Sequence, residues 1–367
     1  MVIAQVVESD APGGTERLVI QIAQDLGRRG HRVVVIGPAE GPGNGWLGEQ
    51  IRALGFAWET VPRRWMLDPR AVLDLMRVLR RHRVEAVHSH EFAPSVFGAA
   101  ASWLLRLPHV ITMHSNLYFA QARRRRMAMR WAATHSTGVV AVSRDTRADI
   151  ERFLGVPEGD VQVVINGIAA RPGRRDQLRR ELGLDERDLL VVALGNVSPR
   201  KAHILLLRAL IQLGVRRPDL RWHLAIAGTD QGSAAELRDA AAQHGIAHRL
   251  HLLGHRPDTE DVLAASDLFA MSSLHEGMPL AIIEAMFARR AIVSSAAGGI
   301  SEMIVDGMEG ILTPVGNVEA MSAGLERLLS DSALRERMAA AAYLRAEREF
   351  GIAPMMDAYL RLYQHAA

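Results

Sequence analysis

Glu276 and Glu284 stand eight residues apart in the run His275-Glu276-Gly277-Met278-Pro279-Leu280-Ala281-Ile282-Ile283-Glu284-Ala285-Met286, which reads as a loop turning into a helix. Pro279 suits the first helical turn, where a missing N–H costs nothing, and Leu280, Ile283, Ala285 and Met286 form the packed face. Glu276 then lies in the loop and Glu284 inside the helix, with a rise between them of roughly 8–12 Å if most of the span is helical. Carboxylates at that separation reach from the ribose of a nucleotide to a sugar on its diphosphate, while the free N–H groups of Gly277 and Met278 point at the anion between. The competing reading is a buried helix that merely begins and ends beside a solvated glutamate.

A second candidate comes from composition. Lys and Arg together number 44, and Lys201 is the only lysine. An ammonium is a compact point charge that suits a phosphate oxygen at close quarters, where a planar guanidinium does not substitute freely. Leu189–Leu194 reads as a strand, Gly195–Pro199 as a turn and Ala202–Leu213 as a helix, so Lys201 falls at a strand-to-helix junction, where α/β proteins bind anions. Gly13-Gly14 repeats the pattern after the first strand, opening a helix with backbone that a diphosphate or an acceptor can approach. His114 ends another strand, followed by Ser115 and Asn116, at the sheet edge where ligands sit. His88 and His90 flank Ser89; with no third ligand at suitable spacing they read as lining of a binding cleft, and no metal site is expected.

The elements that must position these residues alternate strand and helix twice. Val2–Val7, Arg32–Ile36, Ala57–Val61, Ala86–Ser89, Val110–Met113 and Gly138–Val142 form one series of strands; Leu189–Leu194, Trp222–Ala227, Leu250–Leu253, Leu268–Met271, Ala291–Ser294 and Gly310–Leu312 form the other. Helices such as Thr15–Arg29, Pro69–Arg83 and Pro94–Leu105 fall between, the pattern of doubly wound parallel sheets. Asn166-Gly167 ends a strand and Pro172-Gly173 marks a linker, so the seam is expected at Ile168–Arg174. The expected domains are 1–170 and 171–350, followed by a terminal helix within 351–367.

A chain of 367 residues that is 49% hydrophobic has material for two cores. The absence of cysteine excludes a disulfide framework and thiolate chemistry. Met1–Val7 reads as a strand rather than a leader, and no stretch approaches the ~20 apolar residues of a membrane span, so a cytoplasmic location is expected. The net charge of +3 arises in the first half, where Arg123-Arg124-Arg125-Arg126 and Arg130 lie beside Leu117, Phe119 and Trp131. On a helix, Leu117, Ala120, Met127, Ala128 and Trp131 share one side with Arg124 snorkelling among them. An anionic membrane surface, with the protein peripheral at the inner face, is the expected partner, and an ordinary solvated helix is the competing reading; nucleic acid is not expected, because no aromatic platform or recognition helix accompanies the basic cluster.

Taken together and in order, Gly13-Gly14-Thr15-Glu16, Thr112-Met113-His114-Ser115, Val142-Ser143-Arg144, Ile165-Asn166-Gly167, Gly195 to Lys201, the Glu276 to Glu284 element and Gly298-Gly299-Ile300-Ser301-Glu302 resemble glycosyltransferase family four. The resemblance covers nearly the whole chain. It implies the GT-B fold, two Rossmann-like doubly wound domains facing each other across a cleft, acceptor side first and nucleotide-sugar side second, with the terminal helix crossing back. It implies a retaining transferase that moves a hexose from a nucleoside-diphosphate sugar to a lipid-linked or oligosaccharide acceptor in surface polysaccharide or glycolipid assembly, with UDP-sugars the first expectation and GDP-mannose the second. By resemblance Glu276 takes donor hexose hydroxyls, Glu284 the ribose and His114 the donor sugar, while Gly254-His255-Arg256 meets the base largely through backbone. Same-face attack is implied, the leaving phosphate taking the acceptor's proton, with neither metal nor cofactor; Arg200, Lys201 and helix N-termini then neutralise the diphosphate. The chain departs from the pattern at Asn196, where Arg is common and which Arg200 compensates, and at Ala202, where Gly is usual and which is expected to cost little in a helix. A nucleotide-sugar epimerase of the same fold and a catalytically silent nucleotide-sugar-binding subunit are the alternatives.

Overall fold

The computed structural model describes residues 1–39, 45–63, 68–114, 122–157 and 159–364; Ser115, Asn116, Leu117, Phe119 and Ala120 lie outside them. The chain forms two compact units, Met1–Gly167 with Ile352–Ala367, and Ile168–Gly351. In the first, β1 (Val2–Val6), β2 (Arg32–Pro38), β3 (Ala57–Val61), β4 (Ala86–His90), β5 (His109–Met113), β6 (Gly138–Ala141) and β7 (Val161–Val163) lie in the order β3-β2-β1-β4-β5-β6-β7. In the second, β8 (Leu189–Leu194), β9 (Trp222–Ala227), β10 (Leu250–Gly254), β11 (Leu268–Met271), β12 (Ala291–Ser295) and β13 (Ile311–Thr313) lie in the order β10-β9-β8-β11-β12-β13. Every pairing between these strands is parallel. Strands buried on both faces carry apolar runs, which is why Leu189–Leu194, and Trp222–Ala227 with the single polar residue His223, are legible without alternation.

Each sheet reverses its order once, between β1 and β4 and between β8 and β11. In open parallel sheets the crevice beyond the carboxyl ends of such strands is where ligands bind. The loops leaving β8 and β11 are therefore the ones to follow. The first enters the His203–Arg216 helix, whose Leu206, Leu207, Leu210 and Leu213 are fully buried, each contributing about 1.5–3 kcal/mol by leaving water. The second enters the Leu280–Phe287 helix, anchored by Ile282, Ile283, Ala285 and Met286. The Ile352–Gln364 helix belongs to the first unit, where Tyr359 and Tyr363 are fully buried and Asp357 pairs with Arg29 at 2.6 Å.

Four expectations need correction. Pro279 precedes the helix as its cap, with ψ 123°, and the helix starts at Leu280; only the Leu280–Glu284 part of the Glu276–Glu284 span is helical. Ala202 is not helical either: it precedes the His203–Arg216 helix at φ 48°. That left-handed conformation favours glycine, so the alanine strains the backbone rather than gaining helix propensity. β7 ends at Val163, short of Asn166. His88 and His90 do not line a cleft; both are fully buried. No helix among the described residues is long and apolar enough to cross a membrane.

Candidate functional site

Beyond β8 the chain turns at Gly195, whose φ of +140° suits glycine, and a Cβ there would lie 3.1 Å from Cε of Lys201. The lysine stem therefore runs across the bare face of Gly195. Gly228, immediately after β9, serves the same loop: a Cβ on it would overlap the Gly195 carbonyl oxygen. Asn196 Oδ1 accepts from the Thr229 N–H at 3.3 Å, and the Val197 N–H donates to the Thr229 carbonyl at 2.8 Å. These bonds tie the β8 loop to its neighbour and leave the Asn196 amide nitrogen as a donor.

The β11 loop is stitched to the β8 loop in turn. Ser272 Oγ donates to the Ala202 carbonyl at 2.9 Å, and the Leu274 N–H donates to the Arg200 carbonyl at 3.0 Å. The result brings Lys201, Arg200 and Glu276 together. Lys201 Nζ lies 2.6 Å from Glu276 Oε1, and Arg200 Nη1 lies 3.5 Å from Oε2. Burial of Glu276 alone would raise its carboxyl, but the charges of Lys201 and Arg200 outweigh that and hold it below the ordinary carboxylate range. His203 begins the following helix; burial first, and Lys201 second, push its ring down to about 4, so it stays neutral beside the cluster.

After Glu276, the residues Gly277, Met278, Pro279 and Leu280 are buried and lead into the helix that carries the half-buried Glu284. Arg256 stands apart from this cluster: its guanidinium bonds to Asp258 at 2.8 and 2.7 Å and to Glu181 at 2.9 Å. Among the described residues no three His, Asp or Glu side chains are grouped to hold a metal ion.

In the first unit Gly13 caps the Gly14–Arg28 helix. The space beside it is filled by the Glu16 carboxyl, which burial pushes up to about 7. His114 follows β5 and its Nε2 lies 2.9 Å from Nδ1 of His90. Sequence reasoning missed Gly228, Ser272 and His203. Gly228 had a signal, a glycine placed directly after an apolar strand, whereas a serine and a histidine beside a loop carry none.

A Glycosyltransferase Family 4 model matches residues 12–171, and a Glycosyl transferases group 1 model matches residues 174–345. The chain is 28% identical to the D-inositol 3-phosphate glycosyltransferase of Rhodococcus opacus, over 99% of its own length and 88% of that protein's. It is 24% identical to the UDP-Gal:alpha-D-GlcNAc-diphosphoundecaprenol alpha-1,3-galactosyltransferase of Escherichia coli, over 88% and 86% respectively. Among solved structures, Anabaena HepE in complex with UDP-glucose aligns with a TM-score of 0.84 at 23% identity over 98% of each chain. The chain belongs to the family-four glycosyltransferases and has their GT-B fold. It is a glycosyltransferase.

Proposed function

We propose that this enzyme moves a hexose from a UDP-sugar to a lipid-linked or oligosaccharide acceptor with retention at the anomeric carbon, in surface polysaccharide or glycolipid assembly. The observation that carries the reading is the Arg200–Lys201–Glu276 cluster beyond the order reversal of the second sheet. Departure of a diphosphate leaves negative charge on an oxygen that Lys201 and Arg200 meet, helped by the backbone N–H groups that open the Leu280–Phe287 helix. Glu276 is a poor nucleophile in this setting, because an ammonium 2.6 Å away holds its charge; its carboxylate instead accepts sugar hydroxyls as Lys201 turns to phosphate. Same-face attack, with the leaving phosphate taking the acceptor proton, then needs no enzyme nucleophile. In this reading Glu284 takes the ribose, His114 a hydroxyl of the hexose, and Asn196 and the backbone at Arg256 the remainder of the nucleotide. Leu280 and Pro279 shape the wall, and Gly13 and Gly14 face the acceptor in 1–170, while 171–350 holds the donor. The uridine choice is supported by the UDP-glucose bound to HepE and by the UDP-Gal in the E. coli relative's name. A thermal-shift panel of nucleotide sugars tests it: at 100 times its Kd the true donor adds ~2.7 kcal/mol. UDP-hexoses are expected to stabilise and to support transfer; stabilisation by GDP-mannose alone would overturn the donor. Donor conversion without any acceptor would point to an epimerase, and binding with no transfer to a silent subunit.

A membrane surface fits the same reading. The Arg123–Thr134 helix buries only Met129, Ala132 and Ala133, so Met127 (61% exposed) and Trp131 (37%) face outward rather than into the core. Trp103 (60% exposed) and Leu104 (53%) end the Phe92–Leu105 helix that packs beside it. His135 links the two, stacked on Trp131 at 4.6 Å and edge-on to Trp103 at 6.4 Å. Exposed Arg106, Arg123, Arg124, Arg126 and Arg130 accompany this apolar group, an arrangement suited to anionic headgroups above and acyl chains below. Each arginine near such a surface is worth about 1 kcal/mol. Sedimentation with phosphatidylglycerol vesicles is expected to weaken with salt and to fall sharply when Arg123, Arg124, Arg126 and Arg130 become Ala. Equal sedimentation of the two proteins would remove the membrane from the proposal.

A further inference from the structure

A polar seam runs through the apolar core on one face of the first sheet, beside Val35 and Val110. Gln5 on β1, His88 and His90 on β4 and Thr112 on β5 share it by register, and all four are fully buried. Tyr359 and Tyr363 of the Ile352–Gln364 helix cover that face. Buried polar groups are costly unless each finds a partner, and here they join in one chain. Tyr359 Oη lies 3.0 Å from Thr112 Oγ1, which lies 2.8 Å from His88 Nε2. His88 Nδ1 lies 2.7 Å from Tyr363 Oη, to which Gln5 Nε2 donates at 3.5 Å. Gln5 Oε1 lies 2.8 Å from His90 Nε2, and His90 Nδ1 lies 2.9 Å from His114 Nε2.

The donors and acceptors along this chain are not independent. A carboxamide oxygen only accepts, so His90 must donate from Nε2, which leaves its Nδ1 as an acceptor. His114 must then donate from Nε2, and its own Nδ1 becomes the atom that accepts. We propose that Gln5 and His90 are positioning residues that hold His114 in the Nε2–H tautomer, so that its Nδ1 offers a lone pair to a sugar hydroxyl. The sugar contact rests on the reading of His114 given above; the tautomer does not. Burial keeps His88 and His90 neutral and pushes His114 down to about 4, so near neutral pH the tautomer rather than the charge is what varies. The amide of Gln5 sets the sense of the chain because its two ends differ, and the Tyr363 hydroxyl holds its nitrogen end in place.

The test is a long-range 15N–1H correlation spectrum of the full chain labelled with 15N-histidine, with His114 assigned by the signals lost in His114→Gln. His90 and His114 are both expected as neutral Nε2–H rings between pH 6 and 8. Gln5→Leu should move His114 to a mixture or to Nδ1–H. Tyr363→Phe, which keeps the ring and removes only the hydroxyl, should give two His114 signals as the Gln5 amide loses its anchor, and it decides the matter if Gln5→Leu does not fold. An Nδ1–H ring in the wild type, or an unchanged tautomer in both variants, overturns the proposal. In Gln5→Leu the kcat/KM for donor is expected to drop about tenfold, one hydrogen bond's worth, with affinity for UDP unchanged. A shifted tautomer with unchanged kcat/KM would leave the relay standing and remove the sugar contact of His114.

Discussion

Lys201→Ala should lower kcat by ~10²-fold, the scale of losing one group that meets charge developing on a leaving oxygen. The same substitution should cost stability, because it strips the near partner from a buried carboxylate and leaves Glu276 with Arg200 at 3.5 Å. Breaking a buried pair from one side costs about 3 kcal/mol. The two effects separate experimentally. Adding Glu276→Gln to Lys201→Ala removes the orphaned charge and should recover most of the lost Tm, with kcat still low. Lys201→Arg should restore stability better than turnover: its planar fork can reach Glu276, but the stem must pass the bare face of Gly195, along which the native Cε already lies 3.1 Å from where a Cβ would stand. Steady-state kinetics well below Tm, with the correct donor and acceptor, decide the point. A near-wild-type kcat for Lys201→Ala would remove the phosphate role, and the lone lysine would be an accident of composition.

Gly228→Ala should be nearly as damaging although Gly228 touches no ligand in the proposed mechanism. Its Cβ would overlap the Gly195 carbonyl oxygen and crowd the Asn196 nitrogen, and a backbone cannot step aside as a side-chain tip does. Forced overpacking of this kind costs about 3 kcal/mol, which in a protein of this size lowers Tm by several degrees. The loop that relaxes is the one carrying Lys201. A displacement of about 1 Å there is enough to cost ~10²-fold in rate. Gly14→Ala is the control for stability, since nothing lies within 4 Å of a Cβ at that position. Calorimetry and kinetics on both variants test the claim: an unaltered Tm in Gly228→Ala would show that Gly195 and Gly228 do not need their close approach.

How much of this was legible depended on whether the physics left a mark in residue type. The strands were, because burial on both faces demands apolar runs, and so was the Lys201 junction, where a strand ends in glycine and a helix begins. Pro279 was ambiguous by nature, since a fixed φ near −69° serves a cap and a first turn equally well, and only ψ distinguishes them. Ala202 carried a warning that the helix reading passed over: Gly is usual at that position, as a left-handed backbone favours, and the φ of 48° belongs to the loop closure between Gly195 and the helix. His88 and His90 misled for a different reason. Polar residues at the end of a central strand look like ligand contacts until the helix covering them is known, and that helix lies more than two hundred residues further along the chain. The pairing of Lys201 with Glu276 was equally hidden, because it depends on β8 and β11 being neighbours, which sequence order does not state.

The Ile352–Gln364 helix has a consequence for biosynthesis. A ribosome delivers domains in order, and the first usually folds while the second is being made. Here the first unit is interrupted: β1, β4 and β5 are complete early, yet Gln5, His88 and Thr112 wait for hydroxyls on Tyr359 and Tyr363 that emerge only after the entire second unit. Until then the nascent sheet presents an uncovered polar seam in place of a finished core. Ile168–Gly351 is thus expected to reach its native state first, and the amino-terminal unit only afterwards, once a helix made later than the whole second unit has closed it.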